Sequence, residues 1–232
     1  MYNIVVKVAA TILRERFFTT EHIEELEGCA NAIGGGSIVD FILVANFMYD
    51  AEAHCTSIVL RQKDGNLLHA RNLDYGPTKL FRNSLINVDF WKNGNLLYKI
   101  ATITGFGGTI TGIRPGAFSV SIDERDEGTL WDNLWTMIEG HTGNTFAMRY
   151  ALENFDNYAD AVEYFRTVNL VAPCYYIVGG VSGNDGSVIT RARSSLVDFW
   201  SLDDSRWWLV QTNYDHWTNP GPNEIKRRVV TE

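Results

Sequence analysis

The hydrophobic and polar positions of residues 54–74, HCTSIVLRQKDGNLLHARNLD, have a strand-like pattern. Two strand-like runs flank Asp64-Gly65, a pair suited to a tight hairpin turn. The pattern recurs in INVDFWKNGNLLYKIATIT, which turns at Asn93-Gly94, and in FSVSIDERDEG, a strand before a charged turn. From Ala172 onward CYYIVGGVS, SVITRAR, SLVDFWSL and RWWLVQTNYD read as an antiparallel meander, with its first turn at Asn184-Asp185-Gly186. Helical spacing appears elsewhere. Residues 19–34 place Ile23, Leu26, Ala30 and Ile33 on one face, with Thr20 as N-cap and Gly34-Gly35-Gly36 as terminator. Ser37 with Asp40 offers a capping box for an apolar helix to about Tyr49, read either as a buried element or as one that leans on lipid. Residues 129–139, capped by Thr129 with Asp132, set Leu130, Trp131, Leu134, Trp135 and Ile138 on a face expected in the core. Two further helical runs cover about 145–154 and 157–167. Strands, then helices, then strands, joined by hairpins, predict an α+β fold with antiparallel sheets.

Composition narrows the classes. The 232 residues suffice for one sizeable core, and 45% hydrophobic with 21% charged residues is an ordinary globular balance. A net charge of −8 without a basic run argues against nucleic-acid binding. No apolar run reaches the ~18 residues of a membrane span. Gly105, Gly107, Gly108 and Gly112 lack the pattern of a phosphate loop and read as turn-makers. The opening MYNIVVKVAATILRERFF is interrupted by Lys7 and shows no clear cleavage site for a signal peptide, and no Asn-x-Ser/Thr sequon occurs. Cys29, Cys55 and Cys174 are too few and too scattered for a disulfide framework or a zinc site.

Candidate chemistry gathers at the first hairpin. A two-residue turn at Asp64-Gly65 pairs Lys63 with Asn66 and sets Cys55 across from Asp74. A three-residue turn with a bulge shifts the pairing by one and brings Arg71 across from Ser57, onto the face of Cys55. One unbroken ladder cannot serve both Arg71 and Asp74, so a bulge is expected within RNLD. An arginine near a thiol favours the nucleophilic thiolate. A nearby carboxylate does the opposite, unless Cys55 is a chain terminus. Its α-amino group, with an ordinary pKa of roughly 7.7 to 8, is then the local base, and Asp74 orients that amine. His69 and His216 read as surface or hydrogen-bonded residues. Taken alone, Asn213 reads as a turn-former and Glu124 as a solvated charge.

CTSIV followed by HARNLDY resembles the start of the mature β-subunit in the acid ceramidase and N-acylethanolamine-hydrolysing acid amidase family of N-terminal nucleophile hydrolases. The likeness continues through FWKNGNLLY, DERDEG, YYIVGG, VITRAR and QTNYDHW, and HARNLDY, DERDEG and NYDHW lean toward the amidase branch. It implies an αββα sandwich of antiparallel sheets whose last strands this chain lacks, the chain looking truncated at both ends. It implies self-cleavage between His54 and Cys55, giving an α-subunit-like helical segment 1–54 and a β-subunit-like catalytic domain 55–232. Cys55 is then nucleophile and base, Arg71 and Asp74 its companions, Asn213 the oxyanion donor and Glu124 a residue lining the site. Arg227 or Arg228 falls where the family has a paired arginine. The implied reaction is hydrolysis of fatty-acyl amides such as N-acylethanolamines, without metal or cofactor, as an α/β heterodimer with peripheral membrane contact in the lysosome. Ceramide hydrolysis, or an inactive truncated remnant, are the alternatives.

Overall fold

The computed structural model describes residues 18–36, 54–74 and 82–218 continuously, with single positions among 7–15 and 39–46. Arg227, Arg228 and the proposed Ser37 cap lie outside the described residues. The described chain folds as helix α1 (Thr20–Ala32), strands β1 (His54–Arg61), β2 (Leu67–Asp74), β3 (Leu85–Lys92), β4 (Asn95–Ile103), β5 (Thr111–Arg114) and β6 (Phe118–Glu124), helices α2 (Leu130–Ile138), α3 (Asn144–Asn154) and α4 (Tyr158–Thr167), and strands β7 (Cys174–Gly179), β8 (Gly186–Arg191), β9 (Leu196–Ser201) and β10 (Trp208–Gln211). This is the α+β fold with antiparallel sheets that the alternation predicts.

The strands form two sheets. Seven run in sequence order β3-β4-β5-β6-β7-β8-β9, and three form β10-β1-β2. The sequence reading continues the meander into β10. Instead β10 leaves the larger sheet and pairs with β1, setting Ser57 against Gln211 and Leu60 against Trp208. That crossover brings the residues after Gln211 to the start of β1.

The first hairpin follows the three-residue alternative. Gly65 N–H donates to Gln62 O (3.0 Å) and Gln62 N–H to Asn66 O (2.8 Å), with Gly65 at φ 86°. The Asp64 carboxylate accepts from the Asn66 backbone N–H (3.0 Å) and its side chain (2.8 Å), which fixes the turn. Pairing then runs without interruption from Arg61–Leu67 to His54–Asp74, so Ser57 faces Arg71 and Cys55 faces Leu73. The bulge expected within RNLD is absent. The extra residue is absorbed at the turn, where glycine takes the left-handed angle at little cost. The second hairpin turns where predicted, on Asn93 (φ 52°) and Gly94 (φ 79°).

Alternation along β6 decides the packing. Phe118, Val120 and Ile122 join Tyr176, Met148, Leu152 and Phe165 in a core between the larger sheet and helices α3 and α4. The opposite face of that sheet meets the smaller sheet through Val59, Tyr175, Ile177, Val188, Leu202 and Leu209. Each aliphatic chain buried in these layers contributes about 1.5–3 kcal/mol. Gly108 permits one close approach: a Cβ there would lie 2.5 Å from Thr145 Oγ1 and 2.8 Å from its Cβ. The glycine-rich stretch therefore packs closely as well as turning.

Helix α1 begins one residue earlier than predicted in its capping, since Thr19 Oγ1 accepts from His22 N–H (3.2 Å). It packs Leu26 and Ala30 against Met137, Phe146 and Val171. Ile42 and Asn46 are buried, which favours the buried-element reading of the 38–49 run. Helix α2 has the predicted capping box, but its apolar face is not core. Trp131 is 79% and Trp135 63% exposed, and Leu134 and Ile138 are exposed as well, while Thr136 and Met137 turn inward.

Candidate active site

Cys55 sits at the inner start of β1, 1% exposed, with Ser57 and Val59 following it on the same face. Arg71 reaches it from β2. One terminal nitrogen donates to Cys55 Sγ (2.9 Å) and to Ile122 O (2.9 Å), and the other to Thr111 Oγ1 (3.1 Å). Three acceptors from three strands thus hold the guanidinium with its charge on the sulfur, where it stabilises a thiolate over a thiol. Arg71 Nε also lies 3.8 Å from Asp123 Oδ1, and both side chains are nearly sealed from solvent, at 6% and 0% exposure.

The Cys55 backbone N–H donates to Asn213 Oδ1 (2.7 Å), and Asn213 Nδ2 donates to Glu124 O (2.8 Å). These two partners decide which end of the carboxamide carries oxygen, because an N–H needs an acceptor and a carbonyl a donor. The sequence alone suggested a turn-former. The crossover of β10 places Asn213 instead at the nitrogen of the His54–Cys55 peptide. Glu124, at the end of β6, supplies its backbone carbonyl to that arrangement.

Asp74 stands elsewhere. The unbroken ladder sets it across from His54, on the face opposite Arg71, where its Oδ1 accepts from Asn72 Nδ2 (2.7 Å). The structure therefore brings together Cys55, Arg71, Asn213 and Glu124, and leaves Asp74 beside the preceding peptide rather than beside the sulfur.

A clamp missed in the sequence holds the Asn213 loop. Arg125 grips Asp215 through two hydrogen bonds (2.7 and 2.8 Å), and Tyr175 Oη donates to the same carboxylate (2.8 Å). Burial alone would raise the Asp215 pKa, but the hydrogen bonds from Arg125 and Tyr175 outweigh it and hold the carboxyl below its usual range. The signal lay within DERDEG and NYDHW, where Arg125 and Asp215 each stand close to a candidate residue.

A cavity of about 650 Å³ opens beside Arg71 and His69, with Thr111 and Ser119 as polar neighbours and Ile100, Ile113 and Phe118 among its apolar walls. Among the described residues no cluster of three or more His, Cys, Asp or Glu is placed to hold a metal ion. Nor is any helix there long and apolar enough to cross a membrane.

The chain is similar in sequence and fold to known proteins. Mouse (Mus musculus) N-acylethanolamine-hydrolyzing acid amidase is 39% identical over 217 residues, covering 92% of this chain and 59% of the relative. Acid ceramidase from Bos taurus is 36% identical over 218 residues, covering 85% and 54%. The solved structure of a Caenorhabditis elegans N-acylethanolamine-hydrolyzing acid amidase ortholog superposes with a TM-score of 0.64 at 40% identity, over 70% of this chain and 71% of that one. The chain spans about three fifths of the length of the amidase relatives it matches. Residues 55–231 match the family described as linear amide C-N hydrolases, choloylglycine hydrolase family. That match begins at the cysteine around which the site is built, and the chain belongs to this family.

Proposed function

We propose that the chain carries the nucleophile of a fatty-acyl amide hydrolase that first cuts itself before Cys55. The observation that carries this reading is the double hold on Cys55, by Arg71 at the sulfur and by Asn213 at the backbone nitrogen. In the first stage Cys55 Sγ attacks the His54 carbonyl carbon. The C–N bond breaks, the thiol proton passes to the departing nitrogen, and water opens the resulting thioester. Residues 1–54 and 55–232 become separate chains. Helix α1 would stay docked, because Arg149 binds Glu25 bidentately (2.6 and 2.8 Å) and its apolar face is buried against Phe146. An α/β heterodimer is the result.

In the second stage the freed amine accepts the Cys55 thiol proton, and Sγ attacks the substrate amide carbon. Asp74, paired with His54 beside the scissile bond, holds the amine once it is released. Asn213, no longer facing a peptide N–H, turns its Nδ2–H toward the developing oxyanion; such a donor contributes roughly 2.7 to 4 kcal/mol. The protonated amine leaves, and water hydrolyses the acyl thioester to the fatty acid. Glu124 is assigned to the lining of this site, and Arg227 is a further candidate on the resemblance alone.

N-Acylethanolamines are the proposed substrates, following the amidase relatives, with ceramide as the second reading because acid ceramidase matches nearly as well. The cavity reaches the site through Arg71, while Cys55 and Asn213 lie outside its lining, and its size is within the roughly 300–1,000 Å³ of small-molecule sites. The exposed Trp131–Trp135 face of α2 supports a peripheral contact with the membrane that supplies the lipid, and the resemblance supports a lysosomal setting. Assaying the purified protein on an N-acylethanolamine and a ceramide side by side, with Cys55→Ala as control, tests the reading. Turnover of the ethanolamide, lost in Cys55→Ala, is expected; turnover of neither substrate, or turnover surviving the substitution, refutes it.

A further inference from the structure

Four polar side chains between the two sheets take no part in the steps above. Ser57, Ser121 and Asp123 are each 0% exposed, and His69 faces them from β2. Ser57 Oγ donates to Asp123 Oδ1 (2.8 Å), and Ser121 Oγ donates to Ser57 Oγ (2.9 Å). His69 Nε2 lies 2.9 Å from Ser121 Oγ, and its Nδ1 lies 2.9 Å from Ser119 Oγ.

The direction of this line follows from chemistry. A carboxylate beside a guanidinium only accepts, so Ser57 must donate to it, and Ser121 must donate to Ser57. With its one proton so used, Ser121 Oγ accepts from His69. That places the imidazole proton on Nε2 and leaves Nδ1 to accept from Ser119, whose single proton has His69 Nδ1 at 2.9 Å as the nearer acceptor and Gly179 O at 3.2 Å as the farther one. Every proton points toward Asp123, and Asp123 in turn faces the Arg71 guanidinium at 3.8 Å.

We propose that Asp123, oriented by the one-way line His69–Ser121–Ser57, is a positioning residue that holds Arg71 on the Cys55 sulfur. The inference rests on the reading of Cys55 as nucleophile. Each rung comes from alternation: Ser119, Ser121 and Asp123 occupy one face of β6, and Ser57, His69 and Arg71 face them from the smaller sheet. Gly179 leaves the line its room, since a Cβ there would lie 3.0 Å from Ser119 Oγ and 3.7 Å from His69 Nδ1. Packing alone does not call for such a line, because a few residues away Val59, Ile177 and Leu209 fill the same layer with apolar groups. Replacing buried ionic groups by apolar ones of similar volume is often neutral or stabilising. Burial, and then the Arg71 charge, push the His69 pKa down to about 4, so the imidazole stays neutral into acid.

The test uses the full chain. Asp123→Asn keeps the volume and an acceptor for Ser57 but removes the charge beside Arg71. The expected result is a kcat lowered by about tenfold or more with KM within about threefold. The pH midpoint for alkylation of Cys55 by iodoacetamide, followed by peptide mass spectrometry, should also move up, because Arg71 is no longer held on the sulfur and the thiolate loses its partner cation; a downward shift, which loss of the Asp123 charge alone would give, overturns the proposal. His69→Leu should lower kcat similarly, and His69→Gln, which keeps an N–H donor, should regain most of the loss. Wild-type kcat and an unmoved alkylation midpoint in Asp123→Asn overturn the proposal, as does His69→Gln being as impaired as His69→Leu. Should Asp123→Asn fail to melt cooperatively, Ser57→Ala read by the same two measurements decides. Turnover that survives Cys55→Ala removes the underlying site reading and this inference with it; loss in Cys55→Ala beside normal Asp123→Asn overturns this inference alone.

Discussion

Replacing Asp215 by alanine would release the clamp that fixes the Asn213 loop. Arg125 is 6% exposed and Asp215 11%, so the substitution strands a nearly buried guanidinium and removes the acceptor of Tyr175 Oη. Breaking a buried pair by deleting one partner costs about 3–5 kcal/mol. Arg125 retains Glu127 at 2.6 Å, but that carboxylate is half exposed and compensates weakly, so the low end, about 3 kcal/mol, applies. For a chain of this size that is a fall in Tm of about 6–12 °C. The pH dependence has a definite sign. Asp215 titrates below its unfolded value, so its contribution is present above the ordinary carboxylate pKa and disappears as pH falls through the lowered one. The difference between wild type and Asp215→Ala should therefore be largest near neutrality and shrink in strong acid. Because Asn213 lies two residues before Asp215, scission before Cys55 should slow as well. Differential scanning calorimetry and timed intact-mass spectra measure the two effects. A destabilisation under about 1 kcal/mol with an unchanged scission rate would refute the reasoning.

Other outcomes follow from the same geometry. His69 is neutral in the fold to a pH of about 4 against 6.5 in its ordinary state, so stability should fall as pH drops across that window, by about 3 kcal/mol in full; His69→Gln should flatten this part of a urea-melt series. Arg71→Lys cannot span Cys55, Ile122 and Thr111 together, and a loss in kcat of about tenfold or more is expected in a steady-state assay. Trp131→Ser with Trp135→Ser should leave the melting temperature within about 2 °C, because both rings are exposed, while reducing sedimentation with anionic vesicles. Gly108→Ala should destabilise, since its Cβ would meet Thr145 at 2.5 Å, and a thermal melt detects it.

Local signals made most elements legible. The Asp64-Gly65 and Asn93-Gly94 turns, the Thr129–Asp132 box and the alternation of β6 each declare themselves within a few residues, and the helices and strands form where these signals place them. Register was legible only as two alternatives, because the choice depends on the Asp64–Asn66 hydrogen bonds that lengthen the turn by one residue. Long-range placement was not legible. Nothing within RWWLVQ says that β10 leaves the meander for β1, yet that step decides what Asn213 touches. The α2 tryptophans misled for a related reason: an amphipathic pattern identifies an apolar face without saying whether the fold covers it. Arg125, Asp215 and Asp123 escaped notice because charged residues in alternating strands read as solvated until a second sheet packs over them.

The account's central claim is that Cys55 works as a newly made chain end. Intact-mass spectrometry of the purified protein, before and after incubation in mild acid and alongside the turnover assay, tests it directly. Two chains divided between His54 and Cys55, appearing as activity rises and absent in Cys55→Ala, are predicted. Full turnover by a single uncut chain would contradict it.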